Sequence, residues 1–512
     1  MKMKTAGKEP GASLRMHETS HPILYEVNAR VLLAELSSGT EKRITLGTIP
    51  DVILDEWASL GCDAIWFMGV WETGEVGLQM ARTELGLREE YIKVLPDFSD
   101  ADIIGSPYAV KSYSIPRSMG GKQGLIELRK RLGRRGLGVI LDFVCNHTAR
   151  DHVWVSKHPE FYVQCSPGSD AGFPAPTRHG RKSIAFGKDP YFPGWTDTAQ
   201  LNHLHRGARA ALIGELLEIA SLCDGVRCDM AMLVLSDIFI RTWGETALPE
   251  EKEVARGEFW GDAIDSVKKE YPDFIFIAEA YWDLEWKLQQ MGFRWTYDKR
   301  LYDRLLREGP ASVFSHLCAE KEYQGKSVRF IENHDELRAA HVLQPEAWHF
   351  AAAVVVTTIP GMVLLHEGQL EGRTRKLPVQ LGRRPVEPAR EGTRMFYRRL
   401  LSVVSHQPFR NGEWKLLLAK SAWHENHSSE NVLAFWWKDG NVMRLVIVNY
   451  APRKSQCYVE IPNEFLEGNR CEFRDLVSSS VYVRETQQLL HKGMYFDLHP
   501  YGFHIFDVVR PF

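Results

Sequence analysis

The sequence predicts an α/β fold: a (β/α)8 TIM barrel with a small inserted domain after the third strand and a C-terminal antiparallel β domain. Short apolar runs alternate with helical patterns from residue 23 onward, as in βα units that build a parallel sheet. Eight such runs occur before residue 370, and eight parallel strands are the number that closes into this barrel. After about residue 410 the helical periodicity stops and short β-rich runs follow.

The strands and their covering helices follow in chain order. The eight strand runs are ILYEVNARVLL, DAIWFMGVW, LGVILDFV, CDGVRCDMA, FIFIAEAYW, FRWTYDKRLY, SVRFIENHDE and GMVLL. Between the runs, apolar residues recur at helical spacing, at Leu125, Leu128 and Leu132 and again at Leu212, Leu216 and Ile219. Each of these helices is therefore expected to lay one apolar stripe on the sheet.

Composition changes along the chain predict the domain boundaries. An N-terminal tail covers residues 1–20 and the barrel covers 21–405, with an inserted domain at 148–205 and a C-terminal β-sandwich domain at 410–512. The insert contains the turn-rich stretch SPGSDAGFPAPTRHGRKS, and the C-terminal domain begins after SHQPFRNGEW. Its turn KDGN separates two β-rich runs, which is typical of a hairpin.

The overall composition excludes several classes of partner. The chain has 512 residues, of which 44% are hydrophobic and 25% charged, which is typical of a globular protein. A net charge of -3 gives no basic surface for nucleic acid or for an anionic membrane, so a neutral substrate fits better. The run FAAAVVVTTIPGMVLL is shorter than the roughly twenty residues of a membrane span. Pro360-Gly361 also interrupts it, which predicts a helix, a turn and a strand.

Cysteine usage and the N-terminus predict a cytoplasmic protein. The eight cysteines form no C-x-x-C pairs, which argues against both a zinc site and a disulfide framework. The first twenty residues contain no apolar core of a signal peptide. We therefore expect reduced thiols and a cytoplasmic location, while the oligomeric state is left open.

Polar residues close four of the predicted strands, in LDFVCNH, GVRCDMA, FIAEAYW and FIENHDE. Because the carboxyl ends of barrel strands meet at one mouth, these side chains are expected to lie together. Each has a structural explanation when taken alone: Asp142 could pair with Arg227, and NHDE could cap a helix. Three carboxylates converging on one mouth, however, are typical of an active site. Enzymes that cleave a glycosidic bond use two carboxyl groups in different protonation states.

These four segments resemble, in order and in strand position, the signature segments of the α-amylase family, glycoside hydrolase family 13. TAQLNH is similar to the family's short fifth segment, and GSPYAVKSY resembles the segment before the second helix. The resemblance covers residues 23 to about 370. It implies a retaining α-glycoside hydrolase that cleaves the α-glucosidic bonds of α-glucans or malto-oligosaccharides by double displacement.

The resemblance also implies a catalytic role for each carboxylate. Asp229 matches the family's nucleophile, Glu279 its general acid/base and Asp335 the carboxylate that stabilises the transition state. Arg227 matches the arginine that holds the nucleophile ionised by lowering its pKa, while Glu279 is expected to stay protonated.

Five further residues are expected to bind substrate or to support the site. His147 and His334 match the histidines that hydrogen-bond the sugar at the cleavage point, and Tyr108 matches the aromatic ring on which that sugar stacks. Asp142 is expected to brace Arg227. Asn146 is expected to lie at the mouth beside the substrate.

Departures from the family pattern bear on calcium. The family's calcium site uses an asparagine, here Asn146, an Asp of the fifth segment, here Asn202, and the carbonyl of a histidine, here Leu233. A neutral amide in place of a carboxylate weakens the attraction for calcium, so we expect no metal and no cofactor. Where the family reads GQE, this chain has HEGQLEG, with His366 and Glu367 before the glycine.

Alternatives of two kinds stay open. A transglucosylase, or a sucrose- or α-glucoside-active enzyme of the same family, would use the same carboxylates. A non-catalytic carbohydrate-binding or scaffold protein would share the fold without the activity. The aromatic residues of the insert, Trp154, Tyr162 and Trp195, are either stacking platforms for sugars or the insert's own core. Bond position, chain length, and endo or exo attack are not predicted.

Overall fold

A computed structural model describes residues 14–178, 180–249, 251–466 and 468–509. Eight parallel strands close into a barrel in chain order, which confirms the predicted (β/α)8 fold. The strands are β1 (Ile23–Asn28), β2 (Ala64–Met68), β3 (Gly138–Val144), β4 (Gly225–Asp229), β5 (Ile275–Ala278), β6 (Trp295–Tyr297), β7 (Ser327–Arg329) and β8 (Met362–His366).

Every residue of these strands is buried, because side chains fill the barrel interior on one face and helices cover the other. This explains why the strands read as continuous apolar runs in the sequence. The register between β3 and β4 places Arg227 beside Asp142. Paired residues of neighbouring strands point the same way, so both side chains face the interior of the barrel.

The α-helices pack around the barrel, in the insert and in the C-terminal domain. The stripes at 125–132 and 212–219 are buried, as their spacing predicts. The α-helices are Arg15–Glu18, Ala29–Ser37, Asp51–Ser59, Glu75–Thr83, Leu85–Val94, Gly121–Gly133, Val153–Lys157, Arg206–Ala220, Ser236–Trp243, Phe259–Glu270, Glu285–Gln290, Lys299–Asp303, Pro310–Leu317, Lys321–Gly325, Ala339–Val342, Glu346–Thr358, Glu391–Val404 and Thr486–Lys492.

The apolar run near residue 350 folds as a helix, a turn and a strand. The helix Glu346–Thr358 ends just before Pro360-Gly361, and β8 begins at Met362. Within the four described ranges, none of the helices has the length and apolar character that crossing a bilayer requires.

The insert after β3 contains two small antiparallel sheets. His147–Ala149 pairs with Thr198–Gln200, and Gly172–Thr177 pairs with Gly180–Ala185. The first pairing continues directly from β3, so it brings the fifth family segment next to the polar end of that strand. A further short pair, Glu72–Thr73 with Val110–Ser112, lies between β2 and β3 in the chain.

The C-terminal residues form two antiparallel sheets. The six-stranded sheet has the order Glu413–Leu417, Val432–Asp439, Val442–Asn449, Phe503–Val509, Arg470–Asp475 and Val481–Glu485. The three-stranded sheet has the order Ala419–Ser421, Ser455–Val459 and Met494–Leu498.

Strand Val432–Asp439 shows how the six-stranded sheet is placed between two layers. Its side chains alternate between the faces of the sheet. Leu433, Phe435 and Trp437 share a core with the barrel helices, whereas the alternate residues from Val432 to Trp436 pack toward the three-stranded sheet. The Trp437 indole N–H also donates to the Thr358 carbonyl oxygen, 2.6 Å away. The sheet is thereby attached to the helix that precedes β8.

The predicted N-terminal tail, residues 1–20, lies partly outside the described residues. From Leu14 the chain packs onto the barrel, and Arg15–Glu18 is helical with Met16 fully buried. Gly138, the first residue of β3, leaves the space that the Met16 sulfur occupies, since a Cβ there would collide with it. This segment therefore covers the amino end of the barrel.

Candidate active site

A single arginine lies at the centre of the polar groups at the barrel mouth. The Arg227 Nη1 atom is 2.7 Å from Asp229 Oδ1 and 3.5 Å from Asp142 Oδ1. Its Nη2 atom is 2.7 Å from Glu279 Oε2 and 4.0 Å from Asp335 Oδ2. The structure thus brings the three predicted catalytic carboxylates and Asp142 around one guanidinium.

Arg227 is buried among aromatic rings as well as charges. The guanidinium carbon lies 5.2 Å from the Trp66 ring centre, 5.3 Å from that of Tyr108 and 5.7 Å from that of Tyr297. Burial alone would lower the pKa of Arg227, but the nearby carboxylates, Glu279 foremost, raise it well above its ordinary value. The arginine is therefore a fixed positive charge.

Glu279 is held by three partners. Its carboxylate forms an ion pair with Arg227 and accepts hydrogen bonds from the Tyr281 hydroxyl (2.6 Å) and the Met230 backbone N–H (2.7 Å). Met230 follows directly on Asp229 and has a φ of 43°. A left-handed conformation at a non-glycine residue is strained, and such strain is concentrated at functional sites. Here the strained turn accompanies the N–H contact to the neighbouring carboxylate.

Arg227 lowers the pKa of Asp229 as expected, but the net pKa of Asp229 is raised. Burial raises the pKa of Asp229 to about 7; Arg227 lowers it, and the negative charges of Glu279 and Asp142 add to the rise. Burial likewise raises the pKa of Asp142 to about 6, against the influence of Arg227. The positive charge of Arg227 does not offset the desolvation of Asp229 and Asp142. Arg227 contacts Glu279 as closely as Asp229, rather than serving Asp229 alone.

His334 forms a second cationic centre at the mouth. Its Nε2 atom lies 2.7 Å from the Tyr108 hydroxyl and 3.0 Å from Asp335 Oδ2. Its Nδ1 atom is hydrogen-bonded to Glu26 Oε1. Burial would lower the pKa of His334, but Asp335 and Glu26 raise it to about 10. Desolvation would raise the pKa of Asp335, but the adjacent His334 holds it well below its usual range.

Glu26 was not among the residues predicted for the site. It lies on β1, is fully buried, and its Oε2 atom has no hydrogen-bond partner. The signal that identifies it is an acidic residue inside the apolar run ILYEVN, the same pattern that drew attention to Asp142 in LDFV. A buried carboxylate normally has a partner, and for Glu26 that partner is His334.

His147 and Asn146 lie where β3 enters the insert. The His147 ring packs against Trp195, with 5.2 Å between ring centres, and burial lowers its pKa to about 4. The Asn146 side-chain amide pairs with that of Gln200, with a 3.0 Å bond from Gln200 Nε2 to Asn146 Oδ1 and a 3.2 Å bond in return. Gln200 Nε2 also donates to the Asn146 backbone oxygen at 2.9 Å.

The contacts around Asn146 bear on the expected absence of calcium. The residue of the fifth segment that hydrogen-bonds the Asn146 side chain is Gln200 rather than Asn202. Asn202 instead donates to the Ala247 carbonyl and accepts from the Leu204 N–H. The side-chain oxygens of Asn146 and Gln200 are each engaged by the other's amide group. Across the described ranges, no group of three or more His, Cys, Asp and Glu side chains is arranged to hold a metal.

The three aromatic residues of the insert that the sequence suggests as stacking platforms have different surroundings. Tyr162 is buried in the insert, where it contacts Thr148. Trp154 packs edge-on against Phe161, with 5.8 Å between ring centres. Of the three predicted aromatic residues of the insert, Trp195 is the one that contacts a predicted substrate-binding residue, His147.

His366 and Glu367 are buried supports beneath the mouth. The His366 Nδ1 atom is 2.8 Å from Arg338 Nη1. Glu367 accepts from the Asn28 backbone N–H at the end of β1 and from Arg384. The HEGQLEG sequence thus connects β8 to β1 and to the loop that follows β8.

Comparisons with known proteins identify relatives of this chain. No family model matches the chain. The α-amylase MalA of Haloarcula japonica is 25% identical over 443 residues, which are 84% of this chain and 55% of that protein. A maltosyltransferase of Cereibacter sphaeroides that uses α-1,4-glucan and maltose 1-phosphate is 25% identical over 246 residues, 46% of this chain and 33% of that protein. The chain therefore spans about half, or less, of the length of these curated relatives.

Solved structures share the fold at lower identity. A maltogenic α-amylase from Thermotoga neapolitana superposes with a TM-score of 0.67 at 19% identity, covering 96% of this chain and 99% of that one. An α-amylase from Lactobacillus plantarum gives a TM-score of 0.67 at 18% identity with the same coverage. A trehalose-6-phosphate hydrolase from Bacillus licheniformis gives 0.62 at 14% identity, again with the same coverage.

The Glu26→Gln variant tests the second cationic centre. Because the pKa of His334 is raised from 6.5 to about 10, its contribution to stability is complete below pH 6.5 and is lost as the pH rises through 10. Without the charge of Glu26, the pKa of His334 should fall. The pH range over which that stability is lost should move to lower pH by about one unit or more. The alkaline limb of the pH profile of kcat/KM should move in the same direction by the same amount. The measurements are thermal melts and pH-rate profiles.

Glu332→Gln is the matched control for this variant, since Glu332 is a buried carboxylate that pairs with Arg338 instead. An unchanged alkaline limb in Glu26→Gln, or an equal shift in the control, would show that Glu26 does not set the charge of His334.

Calcium should not stabilise the protein. A ligand that binds only the folded state adds RT ln(1 + [L]/Kd) to stability, so a tight site would raise the melting temperature. We expect melting temperatures and activities in excess EDTA and in millimolar calcium to agree. Gln200→Ala, which removes three hydrogen bonds at Asn146, should lower the melting temperature in both conditions and shows that the assay detects loosening here. A drop of more than a few degrees in EDTA would contradict the expectation.

Proposed function

We propose that the chain is a member of the α-amylase family and a retaining enzyme that cleaves α-glucosidic bonds of α-glucans or malto-oligosaccharides. The observation that carries the proposal is the guanidinium of Arg227, which forms ion pairs with Asp229 and with Glu279 at 2.7 Å each and has Asp335 close by. Two carboxylates held at one buried point are the requirement for acid-assisted displacement at a sugar. The substrate is proposed to be neutral, in keeping with the chain's charge of -3.

The proposed reaction runs in two displacements. In the first, the Asp229 carboxylate attacks the anomeric carbon, the bond to the leaving oxygen breaks, and Glu279 gives its proton to that oxygen. In the second, Glu279 takes a proton from water while the water oxygen bonds to the anomeric carbon and releases Asp229. Two inversions at one carbon give retention of the α configuration. No metal or organic cofactor takes part in the proposed steps.

The residues around the carboxylates have distinct parts in this scheme. Arg227 stabilises the negative charge on Asp229 before attack and on its return after hydrolysis. Asp335, kept ionised by His334, stabilises the positive charge that develops on the sugar. Tyr108 is proposed to offer its ring to the sugar, although His334 already stacks on one side at 5.4 Å between ring centres. His147 is proposed to hydrogen-bond the sugar as a neutral imidazole, because burial lowers its pKa to about 4.

A transglucosylase, or a sucrose- or α-glucoside-active enzyme, is the second candidate. One of the curated relatives is named a maltosyltransferase, and transfer replaces the attacking water by a sugar hydroxyl while the three carboxylates keep their roles. A non-catalytic scaffold would not need the complete carboxylate set around Arg227. We also propose a cytoplasmic location, which the eight free thiols suit.

Product analysis distinguishes these activities. Maltoheptaose, sucrose and trehalose are each supplied with and without phosphate, and the products are identified by mass and by anomeric configuration. Shortened malto-oligosaccharides of α configuration support the proposal. Longer oligosaccharides or sugar phosphates support transfer, and inactivity on all three substrates contradicts the enzyme assignment.

Asp229→Asn should abolish turnover while leaving the fold intact. The amide replaces the carboxylate without changing its size, and no other carboxylate is assigned to the anomeric carbon. The rate should fall by at least about three orders of magnitude, because covalent catalysis is lost. Steady-state kinetics and a thermal melt provide the measurement. A variant that keeps a tenth of the activity removes Asp229 from the mechanism.

Glu279→Gln should separate the two displacements. The variant should lose turnover on glucans, which need a proton on the leaving oxygen. A glycosyl fluoride needs no such proton, so it should still form the glycosyl-enzyme, detectable by mass spectrometry of the intact protein. Early products of inverted configuration in an NMR time course of the parent enzyme would refute retention.

A further inference from the structure

Asp335 is the most exposed of the three carboxylates assigned to the reaction. Its side chain is 45% exposed, whereas those of Asp229 and Glu279 are 9% and 4% exposed. Arg227 lies 4.0 Å from Asp335 Oδ2 but 2.7 Å from each of the other two carboxylates. Burial and Arg227 therefore fix Asp335 less firmly than the other two. The position of Asp335 depends on the turn that carries it.

This turn follows β7 and is held from two sides. The Asn333 side-chain oxygen accepts from the backbone N–H groups of Asp335 and Glu336 at 2.9 Å each. From the other side, the Lys376 ammonium donates to the Asp335 backbone carbonyl oxygen. Lys376 lies in the loop after β8, so this contact joins the loops of two neighbouring strands. Both backbone polar groups of Asp335 are thus engaged by side chains.

Lys376 also contributes charge to Asp335 from the backbone side of the residue. Desolvation would raise the pKa of Asp335, but His334, Arg227 and Lys376 together hold it well below its usual range. His334 and Arg227 are buried in the barrel, whereas Lys376 is only partly buried. The ammonium of Lys376 therefore reaches Asp335 from the solvent side of the mouth.

The loop that presents Lys376 is packed against the rest of the mouth. Leu377 and Leu381 belong to one apolar cluster with residues of the first two helices after β2. The Ile104 N–H donates to the Gln380 carbonyl oxygen at 2.8 Å. The segment that begins at Ile104 continues directly to Tyr108. The loop with Lys376 and the segment with Tyr108 are therefore packed as one unit, which gives the ammonium a fixed origin.

We propose that Lys376 is a positioning residue for Asp335: its ammonium holds the turn after β7 so that the Asp335 carboxylate faces the sugar at the cleavage point. The inference rests on the proposed function and deepens it, since Asp335 is there the group that stabilises the positive charge developing on the sugar. This charge exists in the transition state and not in the bound substrate. A displaced Asp335 therefore slows the reaction without weakening substrate binding.

Lys376→Met tests this role, because it keeps a long apolar side chain and removes the ammonium. The kcat values for maltoheptaose and for α-maltosyl fluoride should each fall about tenfold, since both reactions develop the same charge on the sugar. The KM values should stay within about twofold of those of the parent. Lys376→Arg keeps a positive charge and donors, and should keep kcat within about threefold of the parent.

A double variant shows whether Lys376 acts through Asp335. In Asp335→Asn the carboxylate to be positioned is gone, so adding Lys376→Met should lower the remaining rate by less than about twofold. The rate is measured on α-maltosyl fluoride, whose leaving group needs no proton. A further tenfold loss in this background would show that Lys376 acts independently of Asp335, and it would overturn the proposal.

Lys299→Met is the matched control. Lys299 pairs with Glu336 at 3.2 Å, so it contacts the same turn one residue away from Asp335, and its loss should leave kcat within about twofold of the parent. The positioning role is overturned by a kcat of Lys376→Met within about threefold of the parent, by a rise in KM instead, or by an equal fall in Lys299→Met. In each of these cases the parent's activity keeps the proposed function.

A parent enzyme inactive on both substrates fails the proposed function instead. Thermal melts of every variant confirm that the rates belong to folded protein.

Discussion

The site depends on the attraction between one buried guanidinium and the carboxylates around it. Burying several carboxylates at one point is unfavourable, because each loses water and repels the others. Arg227 is the group that makes the arrangement stable, and its two terminal nitrogens contact Asp229 and Glu279 at equal distance. The register of β3 and β4 sets Asp142 beside it. An uncharged residue at this position would leave Asp229 and Glu279 without their shared positive charge.

The positive charge of Arg227 does not balance the negative charges of the acidic side chains around it. This shortage of positive charge explains the pKa shifts of the carboxylates at the mouth. Arg227 and the protonated His334 supply two positive charges near five acidic side chains, those of Glu26, Asp142, Asp229, Glu279 and Asp335. Asp335 obtains a cation of its own, and its pKa is low. Asp229 and Asp142 share Arg227 in a buried setting, and the pKa values of both are raised. The pKa values of Asp335, Asp229 and Asp142 therefore differ partly because Asp335 pairs with His334 whereas the other two share Arg227.

The sequence was sufficient to predict the barrel and the meeting of the carboxylates at its mouth, since apolar runs mark buried strands and polar residues at their ends mark the mouth. It failed where the outcome depends on packing. The register of Thr198–Gln200 against His147–Ala149 decides that Gln200 faces Asn146. Burial depth decides that Tyr162 is core and Tyr191 is exposed, although both lie in aromatic stretches of the insert. The pKa of Asp229 depends on desolvation, which no local pattern reveals.

The helix Glu346–Thr358 has a consequence for how this protein can be divided. From Ala351 to Thr358 all of its residues are buried, and the helix contacts the C-terminal strand Val442–Asn449. The β domain therefore covers this helix and shields it from solvent. A gene fragment ending near residue 405 would expose an apolar helix, and such a fragment would associate with other chains rather than fold. Recombination in evolution or in the laboratory therefore has to transfer the coding sequences of the barrel and of the β domain together.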